Sequence, residues 1–368
     1  MKLSEIMPGA DRTRLTAALA APVRKALANK TIAIIGATGA VGLEALALLV
    51  ELGVTPHRIV PVGSVRSEGR AIQAAGQTFQ IRSLEHACDA DVAILATPAD
   101  ASRSLGPLFQ EAGVLVSDNS SAFRHEAPLV IPEINPDAIS KGARIVSTPN
   151  CTTTIALMGL AGVLRELTVD AIDIVSYQAV SGAGIRAMHA LIDESREVVS
   201  DRHSEPRWLL HDVAFNVFPH ESDLDPATGQ CREERKFALE TSRLLQYPPR
   251  CITATCLRVP VLRAHTVVAG VSLRDCPTTN EVAGMIGGVR GVRLADGTLN
   301  SSEATGSCEV HVDRIRVDPN PVHGGSVMRV IISGDQLLKG AAWNAIQNAA
   351  MLLEMSTQVQ QSAQTHNC

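Results

Sequence analysis

A cysteine that follows an asparagine and precedes an apolar run is the first place where this sequence offers reactive chemistry. Residues 148–154 read TPNCTTT, and residues 155–161 have helix-forming composition. If that run is a helix, Cys151 lies in its first turn, where unpaired backbone N–H groups and the helix dipole favour negative charge. A thiol held there loses its proton more readily and becomes a better nucleophile. A buried structural cysteine is the alternative interpretation, because free cysteine packs as a small apolar residue.

Further along the chain are the groups that a nucleophilic cysteine needs. His265 ends a strand-like run and has the chemistry of a general acid and base. Arg258, seven residues earlier, can bind a substrate carboxylate through two parallel hydrogen bonds. Lys236 and Arg124 supply cations for an oxyanion such as phosphate. Each has an ordinary alternative, since the chain contains 11 histidines and a charged run is usually a solvated helix face.

A glycine-rich turn predicts a dinucleotide site in the N-terminal half. Residues 31–35 are apolar and β-branched, residues 36–42 read GATGAVG, and residues 43–52 have helical composition. A strand, a glycine-rich turn and a helix in this order bring a pyrophosphate against the helix N-terminus. The spacing GxxGxxG differs from the GxGxxG of NAD dehydrogenases, and such glycines can also be purely structural. The three positions are Gly36, Gly39 and Gly42.

The second strand indicates which cofactor is bound. NAD sites usually end this strand with an acidic residue that binds the ribose 2′-hydroxyl. Here residues 58–65 lead into a turn with Ser64, Arg66 and Ser67. An arginine flanked by hydroxyls suits a 2′-phosphate, so NADP is preferred over NAD. The alternative is a solvated arginine on a surface turn.

The α/β alternation continues beyond this strand. Residues 91–98 and 114–117 are strand-like and residues 99–112 are helical, which predicts a Rossmann-type, doubly wound parallel sheet. Ligands of such sheets bind at the carboxyl ends of the strands. We therefore expect Thr97 and Pro98 to line the cofactor cleft.

From residue 169 the pattern changes to strands of period two. Residues 169–177, 253–262, 266–273 and 327–332 alternate apolar and polar side chains, which predicts antiparallel strands in an α+β second domain. A charged excursion at 200–212 interrupts them. The expected organisation is an N-terminal extension (1–30), an NADP-binding domain (31–150) completed by a closing helix (336–355), a second domain (151–335) and a flexible tail (356–368).

Composition excludes several classes of protein. A length of 368 residues favours two domains. Aromatics make up 3% and the net charge is −5, which argues against nucleic-acid partners. The eight cysteines form no C-x-x-C pair, so no metal site is predicted. With no apolar run of about 20 residues and no secretory signal, we expect no membrane association and a cytoplasmic location.

Taken together, ten ordered segments resemble the aspartate-β-semialdehyde dehydrogenase family over residues 31–353. They are GATGAVG (36–42), SVRSEG (64–69), DNSSAFR (118–124), VIPEIN (130–135), PNCTTT (149–154), YQAVSGAG (177–184), AFNVFPH (214–220), EERK (233–236), RVPVLRAH (258–265) and KGAAWNAIQ (339–347). So many ordered matches are far more specific than any one of them.

The resemblance implies a role for each matching residue. Cys151 corresponds to the acyl-forming nucleophile, His265 to the acid/base, Gln178 to the active-site glutamine near the acyl group, and Asn150 lies beside the nucleophile. Arg258 and Glu233 would bind the substrate carboxylate and amino group, and Arg124 and Lys236 the phosphate. The positions implied for NADP are Thr38, Gly39, Ala40, Val41, Arg66, Ser67, Ser181, Gly182 and Asn344 or Gln347.

The implied reaction is the NADP-dependent interconversion of L-aspartyl-β-phosphate and L-aspartate-β-semialdehyde through a thioester on Cys151. It would serve biosynthesis of lysine, threonine and methionine, in a homodimer formed through the catalytic second domain. Two alternatives remain, namely a related acyl-phosphate reductase such as N-acetyl-γ-glutamyl-phosphate reductase and a non-catalytic paralogue. One departure is that Ala264 stands where the family usually has glycine before the histidine.

Overall fold

The computed structural model describes residues 14–200, 206, 208–320 and 324–365. The described residues form two compact units: the first unit comprises residues 15–149 and 341–365, and the second unit comprises residue 14 and the described residues of 150–340. Residues 15–30 of the expected N-terminal extension thus belong to the first unit. Residues 1–13 of that extension, 201–205 and 207 of the charged excursion, and 366–368 of the expected tail lie outside the described residues.

The first unit is built on a five-stranded parallel sheet in the order β2-β1-β5-β6-β7. Every residue of these five strands is buried, as expected for a parallel sheet covered on both faces. The predicted Rossmann-type domain is therefore confirmed. Its elements are α1 (Ala17–Leu27), β1 (Ile32–Ile35), α2 (Ala40–Glu51), β2 (Ile59–Val62), the hairpin β3 (Ala71–Ala74) and β4 (Gln77–Gln80), β5 (Val92–Leu95), α3 (Ala99–Glu111), β6 (Leu115–Asp118) and β7 (Ile145–Ser147).

The glycine-rich turn joins β1 to α2 by close backbone approach. Gly36 has φ +87°, and a Cβ added to it would overlap the backbone carbonyl of Ala96 at the end of β5. A Cβ added to Gly42 would overlap the carbonyl oxygen of Gly36. Both positions therefore require glycine if helix and strand are to pack this closely.

Helix α1 runs continuously from Ala17 to Leu27 with Pro22 inside it, so the break that a proline alone would predict does not occur. Proline removes only one backbone hydrogen bond, and the apolar face of α1 (Leu19, Ala20, Val23 and Leu27) is buried. Packing of an amphipathic face supplies most of a helix's stability, so it outweighs the proline here.

The second unit contains a seven-stranded mixed sheet in the order β12-β13-β14-β11-β8-β10-β9. β11 and β14 run antiparallel to their neighbours as predicted, whereas β10 pairs in parallel with β8 because a long helical crossover joins them. The elements are α4 (Cys151–Glu166), β8 (Val169–Gln178), α5 (Ile185–Val198), β9 (Phe218–Pro219), α6 (Arg232–Leu244), β10 (Cys251–Arg258), β11 (His265–Leu273), α7 (Thr279–Gly287), β12 (Val292–Leu294), α8 (Ser301–Ala304), β13 (Val310–Pro319) and β14 (Ser326–Gly334).

The two faces of this sheet differ in their cover. Along β11, buried residues alternate with half-buried ones, and the buried face packs against α4. The other face carries Thr266, Val268 and Gly270, half-buried, with Tyr177 of β8 38% exposed. One face of the sheet is thus open in the single chain.

A π-helical turn (Leu338–Ala342) leads into the closing helix α9 (Trp343–Thr365), which packs on β6 and α1 within the first unit. The helix was predicted over residues 336–355, and it continues to Thr365 into the segment expected to be a tail. No helix among the described residues is long and apolar enough to cross a membrane.

The contact between α4 and α7 gives a test of the second unit's packing. A Cβ added to Gly162 in α4 would overlap the backbone carbonyl of Met285 in α7, whereas one added to Gly284 meets nothing within 4 Å. We expect Gly162→Ala to destabilise the protein by about 1–3 kcal/mol through overpacking. Gly284→Ala is the matched control, and we expect it to stabilise by up to about 1 kcal/mol through helix propensity. Thermal unfolding measures both, and an unchanged or raised Tm for Gly162→Ala would contradict the described packing.

Candidate active site

Cys151 is the first residue of helix α4, as the sequence predicts. Asn150 caps the helix, because its Oδ1 accepts hydrogen bonds from the backbone N–H groups of Thr152 (2.9 Å) and Thr153 (3.4 Å). The sulfur therefore lies at the positive end of a 16-residue helix. A side chain placed there favours the thiolate form on which nucleophilic attack depends.

Asn150 is itself held by two carboxylates of helix α6. Its Nδ2 donates to Glu233 Oε1 at 2.8 Å, and its backbone N–H donates to Glu240 Oε2 at 2.6 Å. Glu233 and Glu240 are seven residues apart, about two turns, so they share one face of the helix. Both are nearly buried, at 6% and 4% exposure. Glu240 was not identified from the sequence, although an acidic residue on the buried face of a helix is the signal that would have found it.

Glu233 is an anion at neutral pH. Burial by itself raises the pKa of Glu233, but the charges of Lys236 and His220 and the Asn150 amide lower it to about 2. The Lys236 Nζ lies 3.2 Å from Glu233 Oε2, and its side chain is 30% exposed. The structure thus brings together Asn150, Glu233 and Lys236, three of the predicted site residues.

His265 faces the cysteine sulfur with its Nε2 atom 3.5 Å from Cys151 Sγ. The other ring nitrogen, Nδ1, accepts a hydrogen bond from the backbone N–H of Ala179 at 3.0 Å. A neutral imidazole whose Nδ1 accepts must carry its proton on Nε2. Complete burial and the charge of Arg258 lower the pKa of His265 to about 3. The sulfur therefore meets the N–H of a neutral imidazole.

The segment before His265 is held in an uncommon backbone conformation. Ala264 has φ +69°, a left-handed conformation that costs an L-residue about 1–2 kcal/mol. Its N–H donates to Gln336 Oε1 at 2.9 Å. The preceding Arg263 forms a buried ion pair with Asp335. These contacts compensate for the strain and fix the start of β11, where the family's usual glycine would need no such compensation.

Arg258 is almost fully buried, with 2% exposure, and its guanidinium contacts other protein groups. Its Nε and NH2 atoms donate to the two carboxylate oxygens of Glu221, at 3.3 and 2.7 Å. NH2 also lies 3.0 Å from His220 Nε2, and NH1 donates to the Ala179 carbonyl oxygen at 2.9 Å. Sequence analysis identified the arginine but missed Glu221, which directly follows the AFNVFPH segment.

Two glycines and a glutamine complete the surroundings of the cysteine and histidine. Gln178, 2% exposed, ends β8 opposite Arg258 in the ladder and donates to Ser176 Oγ at 3.3 Å. A Cβ added to Gly182 would lie 3.5 Å from His265 Nε2, and one added to Gly340 would lie 2.8 Å from Cys151 Cβ. The backbone at Gly182 and Gly340 therefore lies close to the reactive side chains. Nearby, Ser181 Oγ accepts a hydrogen bond from the Gln336 side chain.

The first unit contains a cavity of about 550 Å³ at the carboxyl ends of β1, β2 and β5. Its position at the glycine-rich turn suits a dinucleotide, because the N-terminus of α2 has no side-chain cap and leaves backbone N–H groups for a pyrophosphate. Six of the predicted cofactor residues line this cavity, as do Glu68 and Ser83. The six are Gly36, Thr38, Gly39, Ser64, Thr97 and Pro98.

Other predicted cofactor residues are not part of the cavity wall. Arg66 lies on an exposed 3-10 turn (Val65–Ser67), and Ser67 is buried with its Oγ 3.3 Å from Ser64 Oγ. The side chains of Asn344 and Gln347 are buried in the first unit and hydrogen-bond to the Val130 carbonyl and to Glu133. Ala40, Val41 and Gly42 form the first turn of α2.

The two cations predicted to bind phosphate belong to different units. Arg124 is buried in the first unit, where its Nε donates to the Thr148 carbonyl at 3.0 Å. Burial raises the pKa of nearby Asp118, against the opposing effects of hydrogen bonds from Ser120 and the charge of Arg124. Lys236 is in the second unit. Within the described residues no cluster of three or more histidine, cysteine or acidic side chains is arranged to bind a metal.

Comparison with known proteins gives a consistent result over nearly the whole chain. Two family models match: "Semialdehyde dehydrogenase, NAD binding domain" at residues 31–142 and "Semialdehyde dehydrogenase, dimerisation domain" at residues 160–339. The aspartate-semialdehyde dehydrogenase of Prochlorococcus marinus is 33% identical over 336 residues, covering 89% of this chain and 96% of that protein. That of Bacillus subtilis is 30% identical over 342 residues, covering 88% and 98%.

Solved structures agree with these relatives. The crystal structure of aspartate semialdehyde dehydrogenase II from Vibrio cholerae matches with a TM-score of 0.82 at 30% identity, covering 88% of this chain and 98% of that chain. A second crystal structure of that Vibrio cholerae protein, described as complexed with ASA, matches with the same values.

The contact between Cys151 and His265 predicts how thiol reactivity depends on pH. Because the pKa of His265 is lowered to about 3, the ring stays neutral from pH 5 to pH 8, and its Nε2–H stabilises the thiolate as a hydrogen-bond donor. We expect the pH profile of Cys151 alkylation by iodoacetamide to show one inflection, that of the thiol, and no second inflection from His265 between pH 5 and pH 8. In His265→Ala the pH midpoint of alkylation should rise by about one unit, since a hydrogen bond to a charged group contributes about 1.5–3 kcal/mol.

His189→Ala, at an exposed position of α5, is the control and should leave the midpoint unchanged. A second inflection between pH 6 and pH 7 in the wild type, in addition to that of the thiol, that is absent in His265→Ala would show that His265 titrates in the ordinary range, contrary to the geometry.

Proposed function

Because the chain belongs to the aspartate-semialdehyde dehydrogenase family, we propose that it interconverts L-aspartyl-β-phosphate and L-aspartate-β-semialdehyde, with Cys151 as nucleophile. The observation that carries this proposal is Cys151 at the start of α4 with its sulfur 3.5 Å from His265 Nε2. A nucleophilic thiol at a helix N-terminus beside an imidazole is the arrangement that acyl transfer to sulfur needs. The product would enter biosynthesis of lysine, threonine and methionine.

The chemistry divides into two steps at one sulfur atom. In the biosynthetic direction the Cys151 thiolate attacks the acyl carbon of the acyl phosphate, the carbon–oxygen bond to phosphate breaks, and a thioester remains. Reduction of this thioester needs a hydride, which a nicotinamide cofactor would supply when bound. The resulting thiohemiacetal collapses to the aldehyde and returns the electron pair to sulfur. His265 donates its Nε2–H first to the thiolate and then to the oxyanion of the adduct.

Charged groups of the second unit account for recognition of an amino acid. The Glu233 carboxylate, ionised at neutral pH, would pair with the substrate amino group, and Arg258 with its carboxylate. Lys236, bound to Glu233 and 30% exposed, would bind the phosphate within the second unit, and the resemblance gives the same role to Arg124. Gln178 and Asn150 would contact or orient the acyl group. The Vibrio cholerae relative has been crystallised in complex with ASA, an abbreviation that matches aspartate semialdehyde.

We propose NADP as the cofactor on account of the turn that follows β2. The cavity reaches Ser64, whose hydroxyl lies 3.3 Å from that of Ser67, and Arg66 stands between them on the chain. Two hydroxyls and a guanidinium suit a 2′-phosphate, which NAD lacks.

The dimerisation-domain match and the open face of the second unit's sheet, which includes Tyr177, together support a homodimer formed through that face.

Light scattering tests the dimer: a mass near twice 39.0 kDa supports it, and a mass of 39.0 kDa contradicts it. None of the seven cysteines that the structure describes is in a disulfide, which is the form expected in a reducing compartment such as the cytoplasm.

Activity with L-aspartate-β-semialdehyde is the direct test of the function. We expect the purified protein to reduce NADP in a reaction that requires phosphate. Cys151→Ala should lower kcat by at least about 10³-fold, because it removes the thiol that forms the proposed thioester. Unchanged NADP binding and an unchanged Tm would show that the variant is folded. A parent protein that binds NADP but is inactive with this semialdehyde would contradict the proposed substrate.

Cofactor preference is tested at Arg66. Arg66→Ala should raise the KM for NADP about tenfold or more, because a charged hydrogen bond to the 2′-phosphate is lost, and should leave the KM for NAD unchanged. Arg70→Ala, four residues along the same exposed segment, is the control. An equal effect on both cofactors, or none on NADP, would remove Arg66 from the cofactor site.

A further inference from the structure

The guanidinium of Arg258 has little capacity left for a ligand. An arginine side chain has five N–H donors. Of these, one on Nε and two on NH2 point to Glu221 and His220, and one on NH1 points to the Ala179 carbonyl. A single N–H on NH1 remains. Bidentate binding of a carboxylate needs two parallel N–H groups on one edge of the guanidinium, and no edge has both free.

Glu221 is a carboxylate in the place where a bound carboxylate would be expected. Its two oxygens accept from Nε and NH2 of Arg258, which is the geometry of a bidentate pair. Burial raises the pKa of Glu221, but its hydrogen bonds to Arg258 and the charge of that arginine lower the pKa below its usual value. The carboxyl group is therefore ionised at neutral pH.

Arg258 and Glu221 differ in how deeply their side chains are buried. Arg258 is 2% exposed and is also anchored by the Ala179 carbonyl and by His220, whereas the Glu221 side chain is 16% exposed. His220 is fixed independently, because its backbone N–H donates to the Cys256 carbonyl at 2.9 Å. Arg258 thus keeps its position if Glu221 leaves. Glu221 is the partner that can turn to solvent and recover its hydration.

From this geometry we propose that Glu221 determines substrate specificity by occupying the edge of Arg258 on which the substrate carboxylate binds, so that the substrate binds only by displacing it. The proposal rests on the proposed function, in which Arg258 binds that carboxylate. When the substrate carboxylate replaces that of Glu221, the net gain in binding free energy is smaller than when it binds an arginine edge that has no partner. A substrate therefore gains less from its carboxylate here than at an arginine without a protein partner.

The charges of the neighbouring groups in the second unit also indicate that only the substrate carboxylate meets competition. Lys236 is paired with Glu233 and Arg258 with Glu221, so a carboxylate of the protein already neutralises each of the two cations. A substrate that brings both an ammonium and a carboxylate group finds Glu233 for the first, and must compete with Glu221 for the second. The discrimination acts on the carboxylate alone.

Glu221→Gln and Glu221→Ala test the proposal with two substrates. L-Aspartate-β-semialdehyde carries the α-carboxylate, and 3-aminopropanal has the same amino and aldehyde groups without it. We expect the KM for L-aspartate-β-semialdehyde to fall about tenfold in both variants, equivalent to about 1.4 kcal/mol, because the substrate no longer has to displace an ionised protein carboxylate from Arg258. The kcat should change less than twofold. The KM for 3-aminopropanal should not change.

Asp223→Asn is the matched control. It removes one negative charge two residues away, where Asp223 pairs with Arg232 and does not touch Arg258. We expect both KM values to remain those of the parent.

A KM for L-aspartate-β-semialdehyde that rises or stays constant in both Glu221 variants would overturn the proposal. A rise would show that Glu221 orients Arg258 rather than competing for it. Failure of the proposed function is distinguishable, because the parent itself would then lack activity. In that case protection of Cys151 against iodoacetamide by L-aspartate gives the same comparison without turnover: stronger protection in Glu221→Gln supports the proposal, and equal or weaker protection contradicts it.

Discussion

The capped start of helix α4 is the constraint on which the rest of the site depends. Asn150 uses its side-chain oxygen to cap the helix, its side-chain nitrogen to bind Glu233 and its backbone N–H to bind Glu240. Each of these groups is buried and would cost free energy if left unpaired. Because Cys151 is the next residue, the position of the nucleophile is fixed by contacts that it does not itself make. Helix α6 connects this constraint to recognition, since the same Glu233 would receive the substrate.

Burial sets the charge state of the groups around the sulfur. His265 is fully buried and neutral, and Ala179 fixes which ring nitrogen carries the proton. Glu233 is just as buried but remains charged, because Lys236 and Asn150 bind its two oxygens. Two buried titratable side chains are thus driven to opposite charge states by their partners, one to the neutral form and one to the anion. The Cys151 sulfur therefore lies beside a neutral hydrogen-bond donor, His265. The ionised carboxylate of Glu233, which is paired with Lys236, binds the Asn150 side chain that caps the helix.

The sequence predicts the elements and the reactive residues better than it predicts the contacts between them. The strand and glycine turn before α2 and the helix that begins at Cys151 follow from local pattern and agree with the structure. The strand predicted over 253–262 ends at Arg258 instead, and His265 begins β11 rather than ending a strand. The parallel pairing of β10 with β8 did not follow, because strand direction depends on the long crossover rather than on the strand's own residues. At Pro22, local propensity predicted a break that packing of α1 overrides.

Contacts between distant residues account for what sequence reasoning missed. Glu240 binds the backbone of Asn150 across 90 residues of chain, and Glu221 pairs with Arg258 across 37. Both pairs join residues that are far apart along the chain and lie on different elements, so no local pattern indicates them. Ala264 is different, because an alanine where the related family usually has glycine is a local signal that the backbone there is unusual, and its φ of +69° agrees.

Trapping of an acyl-enzyme tests the central claim, that Cys151 forms a thioester, most directly. The protein would be mixed with L-aspartyl-β-phosphate in the absence of any nicotinamide cofactor, and phosphate release and the mass of the peptide containing Cys151 would be measured together. The account predicts one equivalent of phosphate per chain and an aspartyl adduct on Cys151. Phosphate release without an adduct, or an adduct on a different cysteine such as Cys256, would contradict it.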